Sequence, residues 1–103
     1  MNTPEQGDVW WAEADDKRRP VLVITRSHAI PVLKRIVVAP VSRTVRGIPT
    51  EIRLGPSEGL SSDCAASFDN LQPTLRSALT ERAGTLGARR PEICKALRAL
   101  ADC

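Results

Sequence analysis

The sequence has one histidine, no tyrosine and one phenylalanine in 103 residues. A single imidazole rules out paired-histidine metal sites, and no acidic cluster marks a two-metal centre, so metal-dependent hydrolysis lacks its usual ligands and no metal or cofactor is expected. With Trp10, Trp11 and Phe68 as the only aromatics, the core must be built from Val, Leu, Ile and Ala, which favours a small, tightly packed fold. Cys64, Cys94 and Cys103 are widely spaced and form no C-x-x-C pair, which argues against a disulfide framework or a zinc ribbon and reads as thiols in a reducing cytoplasm. No run approaches the roughly 18 apolar residues of a membrane span, and the opening MNTPEQGD has neither the basic nor the apolar region of a signal peptide. A cytoplasmic protein without membrane association is therefore expected. The nucleophile-elbow G-x-S-x-G and the phosphate-binding P-loop are also absent.

What is present fits one compact domain over residues 1–103, with 42% hydrophobic residues for its core. The net charge of +3 and pI near 9.1 are mildly basic, so the placement of the arginines matters more than their number. Short Gly, Pro and Ser clusters separate apolar runs, as turns do, and no internal repeat is visible.

Val9 to Ala14 reads as a first strand, followed by the polar connection Asp15-Asp16-Lys17-Arg18. Val21-Leu22-Val23-Ile24 is a run of four β-favouring residues, which predicts a strand buried on both faces. Arg35 to Val41 is a third strand, and Pro40, unable to donate to a ladder, marks the point where the chain should leave the sheet. Thr50 to Leu54 alternates and ends at the turn Gly55-Pro56, and Ala65 to Asn70 is the last clear strand. Leu71 to Leu86 admits a helical turn followed by a short strand near Gly84-Thr85-Leu86. Ile93, Leu97 and Leu100, with Ala96 and Ala101 beside them, form one helical stripe, with Pro91 and Glu92 suited to its first turn. The pattern implies a mainly β fold, a strongly curved antiparallel sheet or barrel with a terminal helix.

RNA offers chemistry that demands little from a protein, because its own 2′-hydroxyl can attack the adjacent phosphate once the groups are aligned. The protein then supplies a proton acceptor, a proton donor and donors to the crowded phosphate. Arg19 suits the last role, since a guanidinium presents a rigid fork matching two phosphate oxygens. An arginine at a strand edge is also an ordinary solvated charge.

Six blocks of the sequence separate these two readings of Arg19. Gly7-Asp8-Val9-Trp10-Trp11 resembles the opening strand of the MazF/PemK family. Arg19-Pro20-Val21-Leu22-Val23-Ile24 is similar to that family's Arg-Pro and following apolar strand, and Val38-Ala39-Pro40-Val41-Ser42 resembles the strand ending in its catalytic hydroxyl, usually Thr. Gly47-Ile48-Pro49-Thr50-Glu51-Ile52, Phe68-Asp69-Asn70-Leu71 and Gly84-Thr85-Leu86 match further blocks in the same order.

The resemblance implies an SH3-like β-barrel with helical additions, a homodimer, metal-independent cleavage of single-stranded RNA and inhibition by a cognate antitoxin. By position it makes Arg19 the phosphate-binding residue and proton donor, with Ser42 hydrogen-bonding the phosphate. Ser for Thr keeps the hydroxyl and loosens its rotamer. The family's proton acceptor is an acid or His before Arg-Pro, where this chain offers Glu13, Asp15 and Asp16. In other members it is an Arg two residues before the Asp matching Asp69, where this chain has Ser67. Asp16 and Asp69 are the candidates retained, with Asp69 equally suited to organising a turn or dimer contact.

Lys17, Arg18, Arg43, Arg46 and Arg53 are candidate RNA-binding cations. Trp10 and Trp11 point to opposite faces of one strand. At most one should enter the core, and the other is free to stack on a base or to contact a second subunit or the antitoxin. Two alternatives remain on the same fold: a non-catalytic gyrase-binding toxin like the CcdB proteins, and an RNA-binding module. The CcdB proteins rely on a C-terminal helix ending in Trp, whereas this one ends Leu100-Ala101-Asp102-Cys103.

Overall fold

In a computed structural model, residues 3–14 and 16–101 are described; Asp15 and Cys103 lie outside them. Among the described residues, seven strands run antiparallel: β1 (Asp8–Ala14), β2 (Lys17–Val23), β3 (Arg35–Ser42), β4 (Glu51–Leu54), β5 (Cys64–Ser67), β6 (Gln72–Leu75) and β7 (Leu79–Thr85). One helix, α1 (Glu92–Leu100), follows. The strand order is β4-β5-β3-β2-β1-β7, with β6 paired to the first half of β3. The result is a mainly antiparallel β half-barrel with one C-terminal helix. Among the described residues, no helix is long and apolar enough to cross a membrane.

Two packed clusters occupy the two faces of the sheet. Trp10, Ala12, Val21, Val23, Ile36 and Val38 fill one, whereas Val9, Leu22, Ile24, Ala39, Phe68 and Ile93 belong to the other. Side chains alternate along a strand, so a run with partners on both faces must be apolar throughout, as Val21 to Ile24 is. Helix α1 covers the second cluster through Ile93 and Ala96, while Leu100 stays exposed. Phe68 is the largest of the fully buried side chains, and truncating it to Ala should cost about 3–5 kcal/mol.

Strand β3 changes partners along its length, which explains Pro40. Val38, Ala39 and Pro40 pair with β2, and then Val41 and Ser42 pair with β5. The chain passes from one part of the sheet to another at Pro40 without ceasing to be a strand.

Three expectations need correction. Lys17 and Arg18 belong to β2 rather than to a connection: Ala14 pairs with Lys17, leaving a two-residue link in which Asp16 adopts φ 62°. A short polar side chain tolerates that left-handed conformation, so the hairpin closes early. Strand β5 ends at Ser67, and Phe68–Asn70 is a 3-10 turn that tucks Phe68 into the core. Finally, residues 71–86 hold two strands, β6 and the seven-residue β7, which completes the sheet beside β1.

Candidate active site

Strand β1 is anchored before it reaches the site. Asp8 is 4% exposed, and its carboxylate accepts the Trp10 indole N–H at 3.2 Å and the Glu5 backbone N–H at 3.0 Å. Arg82 on β7 lies 3.5 Å from the same carboxylate. Burying a carboxylate is costly without such donors and a countercharge. Trp10 itself is 5% exposed and packed in the core, which leaves little of it to meet a partner.

Register places the central pair. Val21 pairs with Pro40 at the last bridge between β2 and β3, and the same register carried two residues onward sets Arg19 across from Ser42. The strands part there, and a cleft of about 340 Å³ opens, lined by both residues together with Trp11, Arg18, Arg43 and the loop residues Ser61 and Ser62. Among the described residues, three arginines and no acidic residue line it, so those residues give the cleft positive charge.

Each lining group has a distinct setting. Ser42 Oγ accepts the Thr44 backbone N–H at 3.0 Å, which fixes the hydroxyl oxygen and leaves its proton for an acceptor in the cleft. Among the described residues, Arg19 makes no ion pair, whereas Arg18 is paired with Glu81 on β7 and lies 4.6 Å above the centroid of the Trp11 ring. Cys64 is buried in the cleft wall, its thiol 3.4 Å from the Ser62 carbonyl oxygen.

The loop after Ser42 is held by Glu51. Its Oε1 accepts the backbone N–H groups of Arg46 and Gly47 at 2.9 and 3.0 Å, and its Oε2 lies 3.8 Å from the Arg46 guanidinium. This carboxylate is only 3% exposed. Its position in the block Gly47 to Ile52 was the signal available in the sequence, while Glu81, Leu60, Ser61 and Ser62 carried none.

The other candidates lie outside the cleft lining. Asp16 sits at the tip of the β1–β2 hairpin that carries Arg19, and Lys17 follows it, exposed. Asp69 accepts a hydrogen bond from Thr50 Oγ1 at 2.6 Å, tying the turn after β5 to the start of β4. Arg53 is exposed on β4, and its carbonyl oxygen accepts from Arg89 at 2.8 Å. A larger hollow of about 620 Å³ lies elsewhere, between Trp10, Pro31, Lys34, Leu75 and Arg76, and holds none of the residues singled out for phosphate chemistry.

The family described as PemK-like, MazF-like toxin of type II toxin-antitoxin system matches residues 5–102. A Mycobacterium tuberculosis protein named probable endoribonuclease MazF5 is 40% identical over 103 residues, which span 97% of this chain and 94% of that protein. The solved structure of the Mycobacterium tuberculosis toxin MazF-mt6 superposes with a TM-score of 0.83 at 33% identity, covering 92% of this chain and 96% of that one. An endoribonuclease solved in complex with its cognate antitoxin, from a mycobacterial species, shares the fold with a TM-score of 0.80 at 22% identity, over 94% and 93% of the two chains. The chain belongs to the family of PemK-like, MazF-like toxins of type II toxin-antitoxin systems.

Proposed function

We propose that the protein is an endoribonuclease toxin that cuts single-stranded RNA without a metal ion. The observation that carries this reading is the alignment of Arg19 with Ser42 at the mouth of one positively charged cleft. In the reaction, the 2′-oxygen bonds to the adjacent phosphorus, the bond from phosphorus to the 5′-oxygen breaks, and the 2′-proton passes to an acceptor. Products are a 2′,3′-cyclic phosphate and a 5′-hydroxyl.

Arg19 donates to the phosphate oxygens and protonates the departing 5′-oxygen, Ser42 adds its O–H donor, and Arg43 tracks the neighbouring phosphate. Asp16, on the same hairpin as Arg19, is the carboxylate we assign as proton acceptor. Asp69 takes the organising role, because Thr50 already engages it.

An RNA substrate supports a cytoplasmic location. A cationic cleft also calls for an acidic inhibitor segment, the part a cognate antitoxin plays. Exposed Val32, Leu33, Val37 and Leu75 offer apolar surface for a second copy of the chain, which supports a homodimer.

The test incubates purified protein with a defined RNA in excess chelator and identifies the new ends by mass spectrometry. Cyclic phosphate and 5′-hydroxyl ends are expected. A strict need for a divalent ion, or uncut RNA across many sequences, would overturn the proposal.

A further inference from the structure

Arg18 and Arg19 are adjacent in sequence, yet they are held differently. Arg19 pairs across the strand with Ala12 and Arg18 with Glu13, so the two side chains leave opposite faces of β2. On the Arg18 face, Trp11 pairs with Pro20 on one side and with Glu81 on the other, which brings Trp11, Arg18 and Glu81 together across three neighbouring strands. Arg18 is bonded to Glu81 through Nη2, and its guanidinium lies 4.6 Å above the Trp11 ring. Trp11 is half-buried and packs against the larger core cluster, so the base of this stack is rigid.

A guanidinium is planar and has two faces. One covers the indole, and with the Arg18 side chain 46% exposed at the cleft the other remains open. Glu81 already balances its charge, which weakens Arg18 as a phosphate ligand and leaves it suited to stacking. Bases of single-stranded RNA are splayed out and stack on aromatic rings or arginine planes.

We propose that the open face of Arg18, backed by Trp11 and tethered by Glu81, is a stacking platform for one nucleobase beside the phosphate held by Arg19 and Ser42. The cleft then divides its work: Arg19 and Arg43 take phosphates, and Arg18 takes a base. Glu81 is a positioning residue, because it acts only by holding Arg18. The placement of the base relative to the phosphate rests on the endoribonuclease reading, whereas the platform itself is measurable without cleavage.

The experiment compares two uncuttable probes of equal length and charge: a mixed-sequence 2′-O-methyl hexaribonucleotide pool and a hexamer lacking every base. The folded full-length protein should bind the base-bearing pool about tenfold more tightly. In Arg18→Lys, which keeps the charge and loses the plane, that preference should collapse toward unity; Trp11→Leu should do the same. Arg43→Gln should weaken both probes alike. Glu81→Gln should raise KM for unmodified RNA and leave kcat nearly unchanged.

No preference in the wild type, or a preference surviving in folded Arg18→Lys and Trp11→Leu, overturns the platform. Cleavage of unmodified RNA is measured alongside. A preference without cleavage refutes the endoribonuclease and supports the platform, while cleavage without a preference does the reverse.

Discussion

Gly84 of β7 lies directly against the backbone of Glu58: a Cβ placed on Gly84 would come within 2.3 Å of the Glu58 carbonyl oxygen. The contact is reciprocal, since a Cβ on Gly59 would lie 1.9 Å from the Ala83 carbonyl oxygen, and Gly59 also holds φ at +84°. The turn after β4 therefore docks on β7 backbone to backbone, and no side chain fits between them. Gly84→Ala should lower the stability of the protein by about 2–4 kcal/mol, read as a fall in the urea midpoint. A loss below about 1 kcal/mol would show that the contact relaxes freely.

Arg89 joins three parts of the chain ahead of α1. It donates to Glu58 at 3.1 Å, to Glu92 at 2.8 Å and to the Arg53 carbonyl oxygen at 2.8 Å. The Arg89 hydrogen bond holds the Glu92 carboxyl below its ordinary 4.5, outweighing the opposing effect of burial, and Lys95 adds to the lowering. A carboxyl with a depressed folded pKa favours folding above its unfolded value, and loses that contribution as pH falls through the folded one. The stability advantage of wild type over Glu92→Gln should thus be full at pH 7 and shrink below pH 4.5. Both groups are partly exposed, so added salt should also reduce it. Thermal melts across pH check both trends, and an advantage that grows in acid would contradict them.

Asp69 and Asp16 are separable by kinetics. Asp69→Asn and Thr50→Val break the same 2.6 Å hydrogen bond, so they should perturb stability and activity to similar extents and be non-additive when combined. Asp16→Asn should instead lower kcat by about 100-fold with the fold intact. A kcat loss in Asp69→Asn far exceeding that in Thr50→Val would move the proton acceptor to Asp69.

Much of this arrangement was legible from local pattern, and the rest depended on distant chain. Val21 to Ile24 announced a doubly covered strand because both its faces meet apolar partners. The β1–β2 hairpin hid in four consecutive polar residues, since a two-residue link turned on Asp16 leaves no apolar signal. Strand β7, LTERAGT, is largely exposed and contains the glycine its close approach requires, so it looked like loop. Arg19 and Ser42 were singled out by resemblance, and the register of β2 on β3, carried two residues past Val21 and Pro40, sets them across from each other. Ser61 and Ser62 reach the cleft, and Glu81 reaches Arg18, only through tertiary folding, and nothing in their local sequence marks them.

Salt dependence distinguishes phosphate ligands from other cations. Binding to uncuttable RNA should weaken with salt, and Arg19→Gln and Arg43→Gln should each reduce the slope of log K against log salt by about 0.7. Arg46 and Arg53 lie away from the cleft lining, and Arg46 is engaged by Glu51, so their Gln variants should change the slope by less. Equal slopes for all four variants would show that the cleft is not the phosphate track.

Single-turnover cleavage by Arg19→Ala, with saturating protein and folding verified by melting, tests the centre of the account most directly. Losing the guanidinium opposite Ser42 should slow the cut by about 100- to 1,000-fold, with Ser42→Ala losing less and Ser42→Thr close to wild type. An Arg19→Ala protein that cuts at the wild-type rate, leaving the same ends, would contradict it.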